Sequence, residues 1–184
     1  LKKHMRCLFT YGGMYLVCNS NLLYHASVPL NEDGSFKHVC IGTKEYWGHK
    51  LLQKTDQLIR TAYFDEDGSA EKNFALDYMW YMWCGPDAPS FDKDKMATFE
   101  RYFIADKALH KENKGYYYTL RNRADICDNI LAEFGVEPGP HSHIINGHVP
   151  VKTIKGERPI KADGKLLVID GGFSKAYQPE TGIA

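Results

Sequence analysis

The hydrophobic and polar positions alternate in short runs at the start of the chain, then change to helical spacing, then back. Met14 to Val17 and Leu22 to His25 read as two strands joined by the turn-rich Cys18-Asn19-Ser20-Asn21. Asn31 to Ser35 predicts a second turn. From about Gly48 to Tyr63 the apolar residues Leu51, Leu52, Leu58, Ile59 and Ala62 fall near one face, which predicts a helix. Asp65 to Gly68 ends it, and Ser69 is placed to cap a second helix carrying Phe74, Tyr78, Met79, Met82 and Trp83. Trp80 and Trp83, with Met79 and Met82, are expected in the core. Cys84 to Pro89 breaks this helix into a loop.

Asp92 to Gly115 is charged with interleaved aromatics and predicts mixed helix and loop, its run Asp92 to Lys95 lying on a solvated face. From Asn122 a third helix is expected, with Ile126, Ile130, Leu131 and Phe134 as its stripe and Gly135 at its C-cap. The period then shortens. Ile144 and Ile145 form a strand ending at Asn146-Gly147-His148. Val149 to Ile154 and Pro159 to Lys161 follow as further short segments. After an Asp163-Gly164 turn comes the buried-looking strand Lys165 to Asp170. Short buried strands interspersed with helices predict a layered α/β arrangement, read as one domain over residues 1–184 without a linker.

Composition narrows the function classes. With 23 basic and 23 acidic residues among 184, no global field recruits nucleic acid or an anionic membrane. No apolar run approaches the roughly 20 residues of a bilayer span, and the opening Leu1-Lys2-Lys3-His4 has no apolar leader segment. The five cysteines are scattered and never paired as C-x-x-C, so reduced, mostly buried thiols in a cytoplasmic protein are expected.

Histidine supplies the candidate chemistry. His141, His143 and His148 lie within eight residues, around a strand that ends in Gly147-His148. Neutral imidazole suits manganese, iron or zinc, and a ligand at a strand end is held by the sheet. After Pro138-Gly139-Pro140 the pattern alone favours a solvated loop, and Gly147 before His148 strengthens the functional reading. His25 closes the run Leu22-Leu23-Tyr24, as a strand-end ligand or as a hydrogen-bonded half-buried histidine. Lys175-Ala176-Tyr177, following Gly171-Gly172, is an anion-binding loop or a surface loop.

Longer strings go further. NSNLLYHASVPLNEDGSF (Asn19 to Phe36), DYMWYMWCGPDAP (Asp77 to Pro89), KDKMATFERYFIADK (Lys93 to Lys107), HSHIINGHVPVK (His141 to Lys152) and GKLLVIDGGFSKAYQPETGIA (Gly164 to Ala184) resemble the C-terminal half of class III fructose-1,6-bisphosphatases. The likeness covers nearly the whole chain. It implies a calcineurin-like metallophosphoesterase: part of a layered β-sandwich flanked by helices, its sheet incomplete here, and a piece missing sequence at both ends. It also implies a cytoplasmic, homo-oligomeric enzyme of gluconeogenesis that uses two manganese ions (Mn2+) to remove the 1-phosphate of fructose 1,6-bisphosphate.

By this resemblance His25 and His148 are ligands of one metal of the pair. The position two residues after His148 is Pro150, which follows the phosphoprotein-phosphatase branch. The family's D-x-H, G-D-x-x-D and G-N-H motifs do not occur in this sequence, so no complete catalytic set is expected within it. Asp170 has no role in the family pattern. For phosphate the resemblance points to an arginine, Arg101 first, with Arg121 and Arg123 behind it, and to Lys175 and Tyr177 for the sugar or second phosphate. Ala26 stands where the family usually has glycine, and is expected to crowd a position of positive φ. Two other readings stay open: a related phosphatase with another phosphoester substrate, and a non-catalytic role for this polypeptide alone.

Overall fold

The structure, a computed structural model, describes residues 1–170, 175 and 178–181. A helix α1 (Lys2–Tyr11) precedes the hairpin of β1 (Tyr15–Cys18) and β2 (Asn21–Tyr24). The hairpin pairs Tyr15 with Tyr24 and Cys18 with Asn21, and its two turn residues Asn19 and Ser20 both have positive φ (49° and 62°). Such a tight turn follows the twist of the strands, and Asn tolerates it well.

Strand β2 pairs in parallel with β5 (His143–Asn146), and β5 in parallel with β7 (Leu166–Val168). Strand β6 (Ile160–Lys161) joins antiparallel, giving the order β1-β2-β5-β7-β6. The first strands and β5 and β7 fall where the pattern predicts. Val149 to Ile154 do not form a strand; Thr153–Lys155 make a single 3-10 turn instead.

One sheet face is sealed. Leu22, Tyr24, Ile144, Asn146, Leu166 and Val168 point into a core with Ile126, Ile130, Leu131 and Phe134 of α6 (Ala124–Glu133) and its following turn. That helix stops as its sequence dictates. Gly135 takes φ 75°, and the Val136 N–H reaches back to the Leu131 carbonyl at 2.9 Å, a left-handed cap that only glycine adopts without strain. The opposite face of the sheet is open: Leu16 and Ile169 are exposed, with Leu23, Ile145 and Leu167 half-buried between them. The second sheet of a sandwich is not formed among the described residues.

Helix α2 (Gly48–Phe64) divides two cores, turning Leu52 into the sheet core and Leu51, Leu58 and Ala62 toward α3 (Ala70–Cys84). Ser69 caps α3 by accepting from the Lys72 N–H at 3.1 Å. The hairpin of β3 (Val39–Ile41) and β4 (Lys44–Tyr46), which the pattern did not predict, seals that second core with Val39 and Ile41.

Further expectations are corrected here. Trp80 and Trp83 are 60% and 43% exposed, because α3 is apolar all round and only Ala75, Tyr78 and Met82 face α2. The thiols are mostly at the surface, with only Cys127 buried. Asp92 is 2% exposed, since a left-handed turn at φ 47° directs it inward beside Gly115. Ala26 is buried and does not have positive φ, so its methyl brings no backbone strain. The charged segment is mixed as expected, with α4 (Thr98–Phe103), a 3-10 turn at Lys107–His110 and α5 (Tyr117–Leu120). Among the described residues no helix is long and apolar enough to cross a membrane.

Candidate metal centre and anion site

Three parallel strands share a carboxyl edge, which is where open α/β sheets place their ligands. His25 follows β2 by one residue, His148 follows β5 by two, and Asp170 follows β7 by two. Backbone bonds tie these ends together. Gly147 N–H donates to the His25 carbonyl (2.9 Å), Ile169 N–H to Asn146 (2.8 Å), and Val151 N–H to Asp170 (2.8 Å).

The side chain of Asn146 locks the edge to the core beneath it. Its amide donates to the Ala26 carbonyl (2.9 Å) and to the Tyr117 hydroxyl (2.6 Å), which lies 2.7 Å from the Tyr24 hydroxyl. Burial pushes both phenols up, so they remain neutral donors and acceptors. Nothing in the sequence pattern singled out this network. Only the period of two in β5, which turns Asn146 inward with Ile144, carried a trace of it.

On that support the imidazoles of His25 and His148 meet. His25 Nε2 lies 3.2 Å from His148 Nδ1, with the ring planes 75° apart. His148 holds φ 67°, and the Val149 N–H to Gly147 carbonyl bond (2.8 Å) closes a γ-turn around it. A side chain there costs on the order of 1–3 kcal/mol and persists only where surrounding contacts impose it. Partial burial, then the charges of His25, Lys93 and Lys114, hold His148 below the usual imidazole range, opposed by Asp170. The ring is therefore neutral near pH 7, the state a metal requires.

Two nitrogens 3.2 Å apart suit neighbouring positions around one ion, since imidazole–metal bonds run about 2.0–2.1 Å for zinc. Among the described residues, however, no group of three or more His, Cys, Asp or Glu is placed to hold a metal ion.

Lys93 and Lys114 both act electrostatically on His148. Lys93 Nζ is paired with Glu112 at 2.8 Å. Lys114 Nζ stands 5.3 Å from the Tyr118 ring centre, and the Arg121 guanidinium 5.2 Å from the same ring. Arg101 is exposed, with Nη2 3.3 Å from the His110 carbonyl and 3.7 Å from Glu112, the same carboxylate that holds Lys93. Arg123 is exposed and pairs with Asp125 at 2.5 Å. Lys175 sits exposed in a turn, and Tyr177 lies outside the described residues. Of the other histidines, His143 Nδ1 is 3.0 Å from the Gly164 carbonyl, and His141 is exposed.

Comparison with known proteins agrees along the whole chain. A sequence model of the Firmicute fructose-1,6-bisphosphatase family matches residues 1–184. The class 3 fructose-1,6-bisphosphatase of Bacteroides fragilis is 84% identical over 184 residues, all of this chain and 28% of that protein. The Bacteroides thetaiotaomicron and Clostridium novyi proteins of the same description are 82% and 59% identical over the same span and share. The chain thus spans 28% of the length of these curated relatives. No solved structure matches. The match extends over every residue, so the chain belongs to the Firmicute fructose-1,6-bisphosphatase family.

Proposed function

We propose that the chain supplies one side of a two-metal phosphoesterase centre, and that the full-length protein removes the 1-phosphate of fructose 1,6-bisphosphate in the cytoplasm, in gluconeogenesis. The observation that carries this reading is the meeting of His25 Nε2 and His148 Nδ1 at 3.2 Å on the carboxyl edge of the parallel strands. The name shared by the relatives supplies the substrate.

A bound manganese pair would supply Lewis acidity and a hydroxide formed at neutral pH. His25 and His148 would hold one ion. The remaining work belongs to this chain's own groups. The neutral His148 keeps a lone pair available, and the Asn146 bonds to Ala26 and Tyr117 fix the segment that carries it. Lys93, whose charge acts on His148, would offset phosphate charge, and Arg101 shares its partner Glu112. Lys175 and Tyr177 remain assigned to the sugar end.

The open apolar sheet face supports the layered metallophosphoesterase fold. Parallel strands such as β2, β5 and β7 are normally covered on both faces, and sequence present in the relatives but not here would provide the second layer. Exposed Cys7, Cys18 and Cys40, all free, suit a reducing compartment. The exposed aromatics Trp80, Trp83, Phe99 and Phe103 suit an assembled protein, which we take to be a homo-oligomer. A non-catalytic role for the 184 residues alone is favoured by the lack of a third metal donor among the described residues.

The test is phosphate release by the full-length protein with manganese, from fructose 1,6-bisphosphate and from each monophosphate. Preferential loss of the 1-phosphate, abolished in H25A and H148A, is the expected result. Equal hydrolysis of unrelated phosphoesters would point to the related-phosphatase reading, and full activity in both variants would remove the site.

A further inference from the structure

Among the described residues, Arg121 is the one cation whose buried donors lack a partner. It is 5% exposed, and its Nε and Nη1 have no hydrogen-bond partner. Unpartnered N–H donors on a buried guanidinium are costly. Among the described residues no carboxylate is placed against them. The nearby Glu157 is spent elsewhere, with Oε1 on Lys161 Nζ (2.8 Å) and Oε2 on the Lys152 N–H (3.1 Å).

Like charges gather around this arginine. Arg121 and Lys114 flank one ring, that of Tyr118, whose hydroxyl is anchored by donating to the Phe91 carbonyl at 3.0 Å. Lys114 is held below the usual lysine range, first by burial and then by Arg121, Lys93 and Lys152. Repulsion of this kind destabilises a free protein and is relieved when a dianion enters.

The cluster also has a direction. Tyr118, the ring shared by Lys114 and Arg121, follows Tyr117, whose hydroxyl accepts from Asn146 two residues before His148. We propose that Arg121, with Lys114 and Lys152, forms a second anion site that takes the phosphate group not being hydrolysed, and so selects bisphosphorylated substrates. This rests on the phosphatase reading above. The fork of a guanidinium offers two parallel donors to phosphate oxygens, a geometry lysine lacks.

The experiment uses the full-length protein and two substrates, fructose 1,6-bisphosphate and p-nitrophenyl phosphate, which has one phosphate. In R121Q the ratio of kcat/KM for the first to that for the second falls at least tenfold, mainly through KM for the bisphosphate. R121K falls by an intermediate factor. K152Q, at an exposed position and so safe for folding, lowers the ratio about threefold. An unchanged ratio in R121K and K152Q, whatever the stability of R121Q, would overturn the second anion site while leaving the phosphatase reading intact. A wild-type protein that hydrolyses neither substrate would instead defeat the phosphatase reading and the inference with it.

Discussion

His25 and His148 lie 123 residues apart in sequence, yet their Nε2 and Nδ1 atoms are 3.2 Å apart. The contact exists because β2 and β5 are parallel neighbours, with Leu23 opposite Ile145, so both histidines leave the sheet at the same edge. Partial burial first, and then repulsion from the His25 ring, hold the titration of His148 below the usual imidazole range.

The first prediction separates this pair from the nearby histidines. In the full-length protein H148A lowers kcat/KM at least ~100-fold, and H148N does the same while tolerating the left-handed backbone. H141A and H143A lower it less than ~10-fold. H143A additionally costs about 0.5–1.5 kcal/mol of stability through its lost bond to Gly164. Steady-state kinetics and thermal melts of the four variants check this, and equal losses across all of them would redraw the site.

Asp92 provides a pH signature. Burial, then Asp87, raise its carboxyl to about 7, with Lys37 opposing. The unfolded value is near 3.9. Between about pH 4 and pH 7 the folded state holds a proton that the unfolded state has lost. This group's contribution is therefore full below the unfolded value and is lost as pH rises toward 7, by up to about 1.4 kcal/mol per pH unit. D92N removes the titration. The melting temperature of D92N minus that of wild type should increase from pH 5 to pH 8; a flat or falling difference would contradict the burial argument.

Much of the fold was legible, and the exceptions have physical causes. The stripe Ile126, Ile130, Leu131, Phe134 with Gly135 specifies α6 by itself, because period and cap agree. The three-residue strands β3 and β4 carry no period of their own and are held by packing on α2 and α3. Trp80 and Trp83 misled because a helix apolar all round does not reveal which face is buried. Asp92 looked solvated because its burial depends on Gly115, distant in sequence. At the site, the pairing of His25 with His148 came from family likeness. The Asn146 network and the Lys114–Arg121 cluster are tertiary juxtapositions without a local motif.

Two glycines give opposite expectations. A Cβ on Gly115 would lie 2.3 Å from both Asp92 carboxylate oxygens, and its N–H is bonded to the Asp92 carbonyl at 2.8 Å. G115A should therefore destabilise by about 1–3 kcal/mol and displace the neighbouring Lys114. A Cβ on Gly139 meets nothing within 4 Å and its φ is not positive. G139A should be neutral or stabilise by up to about 1 kcal/mol. Denaturant melts of the two variants decide, and similar losses in both would mean the crowding at Gly115 is relieved by movement.

The last prediction is that residues Leu1 to Ala184 expressed alone have no measurable fructose-1,6-bisphosphatase activity and self-associate. The first half follows from donors. A two-metal hydrolase needs carboxylates to hold the pair and an acid to protonate the leaving alkoxide. The described residues offer two converging imidazoles and no third metal donor, and Asp170, though beside Gly147, is not grouped with them. The second half follows from surface. Leu16 and Ile169 leave the sheet open on one face, while Trp80, Trp83, Phe99 and Phe103 expose aromatic area on another part of the chain. Apolar area of this kind, beside the unpaired edge of β1, drives association. Phosphate release with excess manganese, alongside light scattering, measures both. Turnover within about tenfold of the full-length protein would show that the donor count is wrong and that a complete centre forms within these 184 residues.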